Sequence, residues 1–135
     1  MKLQVNTLLA LYSVMEFAAD PERHIPASEI AEKYGISAHH LAKVLAELAR
    51  AGVVASVRGV GGGYRFTSNV RRLTLMDVIQ LFEDFTPASP EHTDAATPVD
   101  RAIGQVLSEI DQIARATFTS ITVATMLRLV ERQGD

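Results

Sequence analysis

Apolar residues recur every three to four positions in six segments of this 135-residue chain, which predicts six helices. The predicted ranges are 3–19, 27–34, 37–50 and 75–85, then a helix of about five turns that begins at residue 99, and finally 123–132. Between the third and fourth helices, β-prone residues flank a glycine-rich run, which predicts a hairpin. In the first helix, the spacing places six apolar residues on one face of a helix that is expected to back the second and third helices: Leu8, Leu11, Tyr12, Met15, Ala18 and Ala19. The chain is therefore expected to be mainly α with a small β-hairpin.

Residues 29–45 have the pattern of a helix-turn-helix. Gly35 stands where the turn can use a positive φ, and Ser37 can cap the second helix by accepting a backbone N–H. The side chains expected between the two helices are Ile30, Tyr34, Ile36, Leu41 and Val44. The opposite face of the second helix is polar or small, so it is free to enter a groove of DNA. A helix pair of this kind also occurs in proteins that do not bind DNA.

The glycine-rich run 59–63 makes the interpretation more specific. It lies between β-prone residues 53–58 and 64–67, so we expect it at the tip of a wing. A phosphate-binding nucleotide loop is the other interpretation of such a run. It fails because no helix begins at Gly63 and no Lys-Ser/Thr pair follows. A helix-turn-helix followed by a wing predicts binding to duplex DNA.

These segments resemble the IscR/NsrR/CymR family of bacterial winged-helix regulators, the Rrf-two superfamily. The resemblance rests on residues 1–3, 30–37, 41–45, 57–64 and 75–79, and it weakens beyond about residue 85. It implies a winged helix-turn-helix plus a long C-terminal dimerisation helix. The expected division is a DNA-binding domain over 1–85, a flexible effector-type loop over 86–98, and the dimerisation and terminal helices over 99–135.

The resemblance also implies which residues contact DNA. Those on the recognition helix are Ser37, Ala38, His39, His40 and Lys43. Those outside it are Arg58 and Gly59 in the wing and Lys2 and Thr7 at the start of the first helix. Weaker candidates are Arg71 and Arg72, whereas Arg65 is expected to be exposed on the wing strand and solvated rather than in contact with DNA.

Each of these positions has an expected role. Ser37 would bind phosphate, and Lys43 would bind phosphate or the O6 and N7 atoms of guanine. The two histidines would donate to base acceptors or phosphates, although His40 alternatively packs between helices. Arg58 would reach the minor groove, where Gly59 lets the backbone come close.

The helix that begins near residue 99 has a continuous apolar stripe, made of Ile103, Val106, Leu107, Ile110, Ile113, Ala114, Thr117 and Phe118. It is too apolar to be an isolated exposed helix. Packing on the first helix is one explanation, and the resemblance favours dimerisation with a second copy. A homodimer would place two recognition helices about 34 Å apart on a pseudo-palindromic operator. One possibility is a small apolar or redox-active effector that acts by changing that spacing, and the other is that the dimer has no effector.

The chain contains no cysteine. In the families it resembles, the loop after the winged helix holds three cysteines that bind an iron–sulfur cluster, or at least one that senses thiol oxidation. Without cysteine neither a thiolate-bound cluster nor a thiol switch can form, so we expect no cofactor. Glu91, His92 and Asp94 could hold a hard or borderline metal ion, but a solvated polar loop is the simpler interpretation.

Charge is unevenly distributed along the chain, whose net charge is −3. Residues 1–72 hold nine basic and six acidic side chains, whereas residues 73–135 hold four and ten. The winged-helix half is therefore the basic half, which is compatible with DNA. The alternative from another class is a winged helix that binds a partner protein. The absence of a membrane-length apolar run, a signal-peptide pattern or a catalytic set predicts a cytoplasmic protein that is not an enzyme.

Overall fold

The computed structural model describes residues 2–84 and 97–134. Within these ranges it contains six α-helices and one two-stranded antiparallel sheet. In chain order the elements are α1 (Val5–Ala19), α2 (Ala27–Tyr34), α3 (Ala38–Arg50), β1 (Val54–Val57), β2 (Gly63–Phe66), α4 (Leu75–Ile79), α5 (Pro98–Ser120) and α6 (Val123–Gln133). The predicted ranges of α2 and α3 agree with the structure to within one residue.

Helix α1 lies at the centre of the fold, and the prediction of its apolar face was only partly right. The buried side chains are Thr7, Leu9, Ala10, Ser13, Val14, Phe17 and Ala18. Of the predicted set, Ala18 is buried and Leu11 and Met15 are partly buried against the core, whereas Tyr12 is 41% exposed. Apolar residues occur on nearly every side of α1, so spacing alone cannot select the face that points inward. The neighbours α3, α4, α6 and β2 make that selection, since all of them pack on α1.

The helix-turn-helix has the predicted core with one exception. Ile30, Leu41 and Val44 are buried, whereas Tyr34 is 36% exposed. The Tyr34 ring stacks instead on Tyr12, with the ring centroids 5.0 Å apart and the planes 8° from parallel. Its hydroxyl donates a hydrogen bond to Glu16. Partial burial and then this hydrogen bond raise the pKa of Tyr34 above its ordinary value.

The wing is a β1–β2 hairpin to which a third segment is attached. Val54 pairs with Phe66 and Val57 with Gly63. On the other edge of β2, the Ile25 N–H donates to the Tyr64 carbonyl at 2.8 Å, and the Tyr64 N–H donates to the Ile25 carbonyl at 2.9 Å. A Cβ atom on Gly63 would lie 2.6 Å from the Ile25 carbonyl carbon, so only glycine fits there. The base of the wing is thereby fixed to the loop before α2.

Helix α4 is shorter than predicted. It ends at Ile79 rather than near residue 85, and turns follow it to residue 83. Its start agrees with the prediction, because the Thr74 hydroxyl accepts from the Asp77 N–H at 3.1 Å. The Asp77 carboxylate returns the interaction by accepting from the Thr74 N–H at 3.0 Å. A reciprocal cap of this kind starts a helix but gives no information about where it ends.

Helix α5 begins one residue earlier than predicted, because Pro98 is its first residue rather than the end of the loop. Thr97 and Asp100 form a second reciprocal cap there. The Asp100 carboxylate accepts hydrogen bonds from the Thr97 N–H and hydroxyl, which lower the pKa of Asp100. Proline suits the first helical position because that N–H has no partner within the helix. Residues 86–96 of the predicted loop, which include Glu91, His92 and Asp94, lie outside the described residues.

Helix α6 returns to the winged helix, whereas α5 extends away from the core. The Val123 N–H donates to the Leu73 carbonyl and the Ala124 N–H to the Val70 carbonyl, both at 2.8 Å, and the Val123 side chain is fully buried. Helix α5 contacts α4 but buries none of its own side chains. The alternative in which its apolar stripe packs on α1 within the same chain is therefore not what the structure shows.

Candidate nucleic-acid interface

The recognition helix α3 exposes the face that the sequence assigned to DNA. Its other face is buried through Leu41, Val44, Leu45 and Leu48. Gly35 adopts φ 64° in the turn, and the Ser37 hydroxyl accepts from the His40 N–H at 3.3 Å, both as predicted. Ala38, His39, His40 and Lys43 are all exposed. His39 and Lys43 are four residues apart and so share one side of the helix.

His40 contacts α1 as well as facing solvent. Its Nε2 atom lies within hydrogen-bonding distance of Oδ1 of Asn6, in the first turn of α1. Asn6 is exposed and belongs to the same surface as the recognition helix. No signal in the sequence pointed to Asn6, because the two residues are 34 positions apart and no short motif joins them.

Thr7 does not belong to this surface, which corrects the prediction that it touches phosphate. Its side chain is fully buried, and its hydroxyl donates a hydrogen bond to the Glu83 carboxylate. The same carboxylate oxygen accepts from the Gln4 N–H at 2.9 Å. Glu83 therefore satisfies two donors in the first turn of α1, whose N-cap residue Gln4 supplies no side-chain cap. Lys2, just before this turn, is exposed.

The wing presents Arg58 and Gly59 at the tip of the hairpin, where both are exposed. Gly59 has φ 104°, a backbone conformation that few other residues adopt. A Cβ on Gly62 would lie 2.4 Å from the Val57 carbonyl oxygen, so the tip is tightly folded. Arg65 is exposed on β2, as predicted.

The basic side chains divide into paired and unpaired groups. Arg23, Lys33 and Arg50 form salt bridges with Glu29, Glu16 and Glu47 respectively. Among residues 2–84 and 97–134, no carboxylate lies within salt-bridge distance of the remaining basic residues of the winged helix, which are Lys2, Lys43, Arg58, Arg65, Arg71 and Arg72. The unpaired group contains every basic residue that the sequence assigned to DNA. Unpaired exposed cations are what a polyanion binds most readily.

Other kinds of site have less support in the described part of the chain. No group of three or more His, Cys, Asp or Glu side chains there could hold a metal ion. His24, His39 and His40 are all exposed. Glu83 caps α1. No helix in the described ranges is both long and apolar enough to span a membrane.

Comparison with known proteins agrees with this geometry. Residues 3–129 match the Rrf2 family, described as an iron-dependent transcriptional regulator. The chain is 45% identical to BadM of Rhodopseudomonas palustris, described as an HTH-type transcriptional regulator, over 98% of this chain and 85% of BadM. It is 32% identical to the HTH-type transcriptional regulator IscR of Vibrio parahaemolyticus, over 66% of this chain and 54% of that protein.

Solved structures show the same fold. CymR of B. subtilis superimposes with a TM-score of 0.78 at 24% identity, covering 96% of this chain and 98% of CymR. IscR of T. potens superimposes with a TM-score of 0.75 at 25% identity, covering 100% of this chain and 92% of that protein. The chain therefore belongs to the Rrf2 family, the superfamily that its sequence resembles, and is a winged-helix DNA-binding transcriptional regulator.

Proposed function

We propose that this regulator acts as a homodimer on a pseudo-palindromic operator. The observation that supports this most directly is the distribution of unpaired cations, which occur on the recognition helix, the wing and the start of the chain. These are the elements with which a winged helix reads a major groove, a minor groove and the adjacent backbone.

The proposed contacts follow from the exposed positions. Lys43 and His39 share one side of α3 and would meet phosphate or the base edges in the major groove. Ser37 still has its hydroxyl hydrogen free for a phosphate, because its oxygen serves as the acceptor in the cap. Arg58 would enter the minor groove, since the tip of the wing carries no side chain at Gly59 that would obstruct it. Ala38 lets the helix come close to the bases.

Dimerisation is proposed from the exposed face of α5. Val99, Ile103, Val106, Leu107, Ile110 and Ile113 are each 52 to 66% exposed. Five of these residues and Thr117 are separated by alternating steps of four and three positions (99, 103, 106, 110, 113, 117). This is the spacing of a coiled-coil seam. Helix α5 has 23 residues and is roughly 35 Å long, and the seam from residue 99 to residue 117 covers roughly 27 Å of it. The partly buried residues Gly104, Ser108, Asp111, Ala114 and Phe118 lie on a different side of the helix. A second copy of α5 is the occupant that such a seam fits.

We propose that this dimer works without a cysteine-bound iron–sulfur cluster or a thiol switch. The family is described as iron-dependent, but this chain has no cysteine to supply a thiolate. The residues present therefore do not fit such a cluster. An effector, if one exists, would have to be a molecule that binds without cysteine and changes the distance between the two recognition helices.

The test is fluorescence anisotropy with short random duplex DNA over a salt series. We expect micromolar or tighter binding that weakens steeply with salt, and a salt slope smaller by about one in Lys43→Ala and in Arg58→Ala. Arg132→Ala, on α6, is the matched control because it removes the same charge outside the winged helix, and its slope should be unchanged. A folded dimer that does not bind at low salt, or equal slopes in all three variants, would contradict the proposal.

A further inference from the structure

The contact between Asn6 and His40 joins two elements that are both held in place. The His40 backbone is fixed by the Ser37 cap, through the hydrogen bond at 3.3 Å. The first turn of α1 is fixed by Glu83, which accepts from the Gln4 N–H and the Thr7 hydroxyl. Asn6 therefore approaches the His40 ring from a turn that other hydrogen bonds within the chain hold in place.

The chemistry of the contact determines what His40 offers to DNA. The Oδ1 atom of an amide can only accept, so Nε2 of His40 must carry the hydrogen. In a neutral imidazole the other nitrogen, Nδ1, is then an acceptor. Nδ1 has no hydrogen-bond partner within residues 2–84 and 97–134, and His40 is exposed. The recognition helix thus presents a hydrogen-bond acceptor at this position.

We propose that Asn6 is a positioning residue for sequence recognition, and that it holds His40 as an acceptor directed at an exocyclic amino group of a base. In the major groove such amino groups are N4 of cytosine and N6 of adenine, whereas guanine and thymine present acceptors at the corresponding edge. This inference rests on the proposed DNA contacts of the recognition helix. It predicts one position in each half-site where cytosine or adenine is preferred.

The position can be found by selection from a pool of duplexes with randomised bases, using the full chain at pH 8. An ordinary imidazole is neutral at that pH. The relevant position is the one that loses its base preference in His40→Ala. There the wild-type chain should prefer cytosine or adenine over guanine by about two- to tenfold, the effect of one net hydrogen bond.

Two substitutions at Asn6 then test whether Asn6 holds the His40 ring in position or only lies beside it. Asn6→Ala should reduce the preference to less than about twofold although His40 is intact, because the ring is no longer held. Asn6→Asp keeps the acceptor but adds a negative charge, which favours the imidazolium form with a donor at Nδ1. When the selection is repeated at a lower pH, where the imidazolium form is populated, that variant should shift the preference at the same position towards guanine more than the wild-type chain does. Gln4→Glu is the matched control, since it adds the same charge to the same turn without touching His40.

A long-range ¹H–¹⁵N spectrum of the histidine rings gives a second readout that does not involve DNA. We expect His40 to carry its hydrogen on Nε2 in the wild-type chain and to become protonated at a higher pH in Asn6→Asp than in Gln4→Glu. An unchanged base preference and unchanged ring signals in both Asn6 variants would overturn the inference. If no sequence is selected and Lys43→Ala and Arg58→Ala bind DNA like the wild-type chain, the proposed function itself fails. The two failures can therefore be told apart.

Discussion

The hydrogen bond between Thr7 and Glu83 joins α1 to the end of the α4 region, and its contribution to stability can be measured by a double-mutant cycle. Thr7→Val removes the hydroxyl but keeps the shape of the side chain. Glu83→Ala removes the acceptor. The two residues are 76 positions apart, so the cycle reports a tertiary contact rather than a local one. The combined variant gives the coupling free energy.

The magnitude follows from the burial and charge of the two groups. Thr7 is fully buried, so its hydroxyl has no water to replace a lost acceptor. A hydrogen bond to a charged group contributes about 1.5–3 kcal/mol, and leaving a buried hydroxyl unpaired costs about 1–3 kcal/mol. Glu83 is partly exposed, which lowers the value. We therefore expect a coupling free energy of unfolding of about 1–2 kcal/mol.

The assay is urea unfolding at one fixed protein concentration, because dissociation of a dimer would make stability depend on concentration. Glu47→Ala is the control, since Glu47 has a salt-bridge partner, Arg50, but a side chain that is 45% exposed. Such a surface pair should contribute less than about 1 kcal/mol. A coupling between Thr7 and Glu83 below about 0.5 kcal/mol would refute the idea that Glu83 anchors α1.

Three further predictions address the wing, the seam and the tyrosine pair. Gly63→Ala should lower the free energy of unfolding by about 1–3 kcal/mol in urea denaturation, because its Cβ would break the two hydrogen bonds that join Ile25 to β2. A loss below about 0.5 kcal/mol would contradict this prediction. Ile110→Asp should weaken dimerisation by at least about a hundredfold in analytical ultracentrifugation, since it places a carboxylate in the seam, whereas Gln112→Asp on the opposite side should not. In an ultraviolet titration Tyr34 should ionise above the ordinary range of a tyrosine because its pKa is raised. The stability that this shift contributes is complete below about pH 10 and is lost as pH rises through the higher folded-state pKa, so ionisation of Tyr34 at the ordinary pH would contradict the prediction.

The sequence was most informative where local rules act. Gly35 and Ser37 could be assigned because a turn needs a positive φ and a helix start needs a side-chain acceptor, and both requirements are met within a few residues. The wing was predictable for the same reason. Its glycine-rich tip and the flanking β-prone runs specify a hairpin without help from the rest of the molecule. The unpaired state of Arg58 and Lys43 was not predictable, because it depends on where the carboxylates lie in space.

The errors concern contacts between distant segments. Tyr34 was expected in the core and stacks on Tyr12 at the surface, because α1 passes along that side of α2. Thr7 was expected at the interface, but its place in the buried face of α1 depends on where α4 and Glu83 lie. Spacing indicated that α1 is a helix. It could not indicate which of several apolar sides faces inward, since that choice belongs to the neighbours.

The sequence by itself determined the order of helices, the turn, the wing and the family, because these depend on periodicity, glycine and short-range hydrogen bonds. It also determined that these 135 residues supply no thiolate, since they include no cysteine. Only the tertiary structure decided which side chains share a surface. In the structure Thr7 is buried away from the candidate interface, Asn6 contacts His40, and the apolar stripe of α5 has no buried residue. The physical reason is that burial and long-range hydrogen bonds depend on how packed elements are placed, which no window along the chain contains.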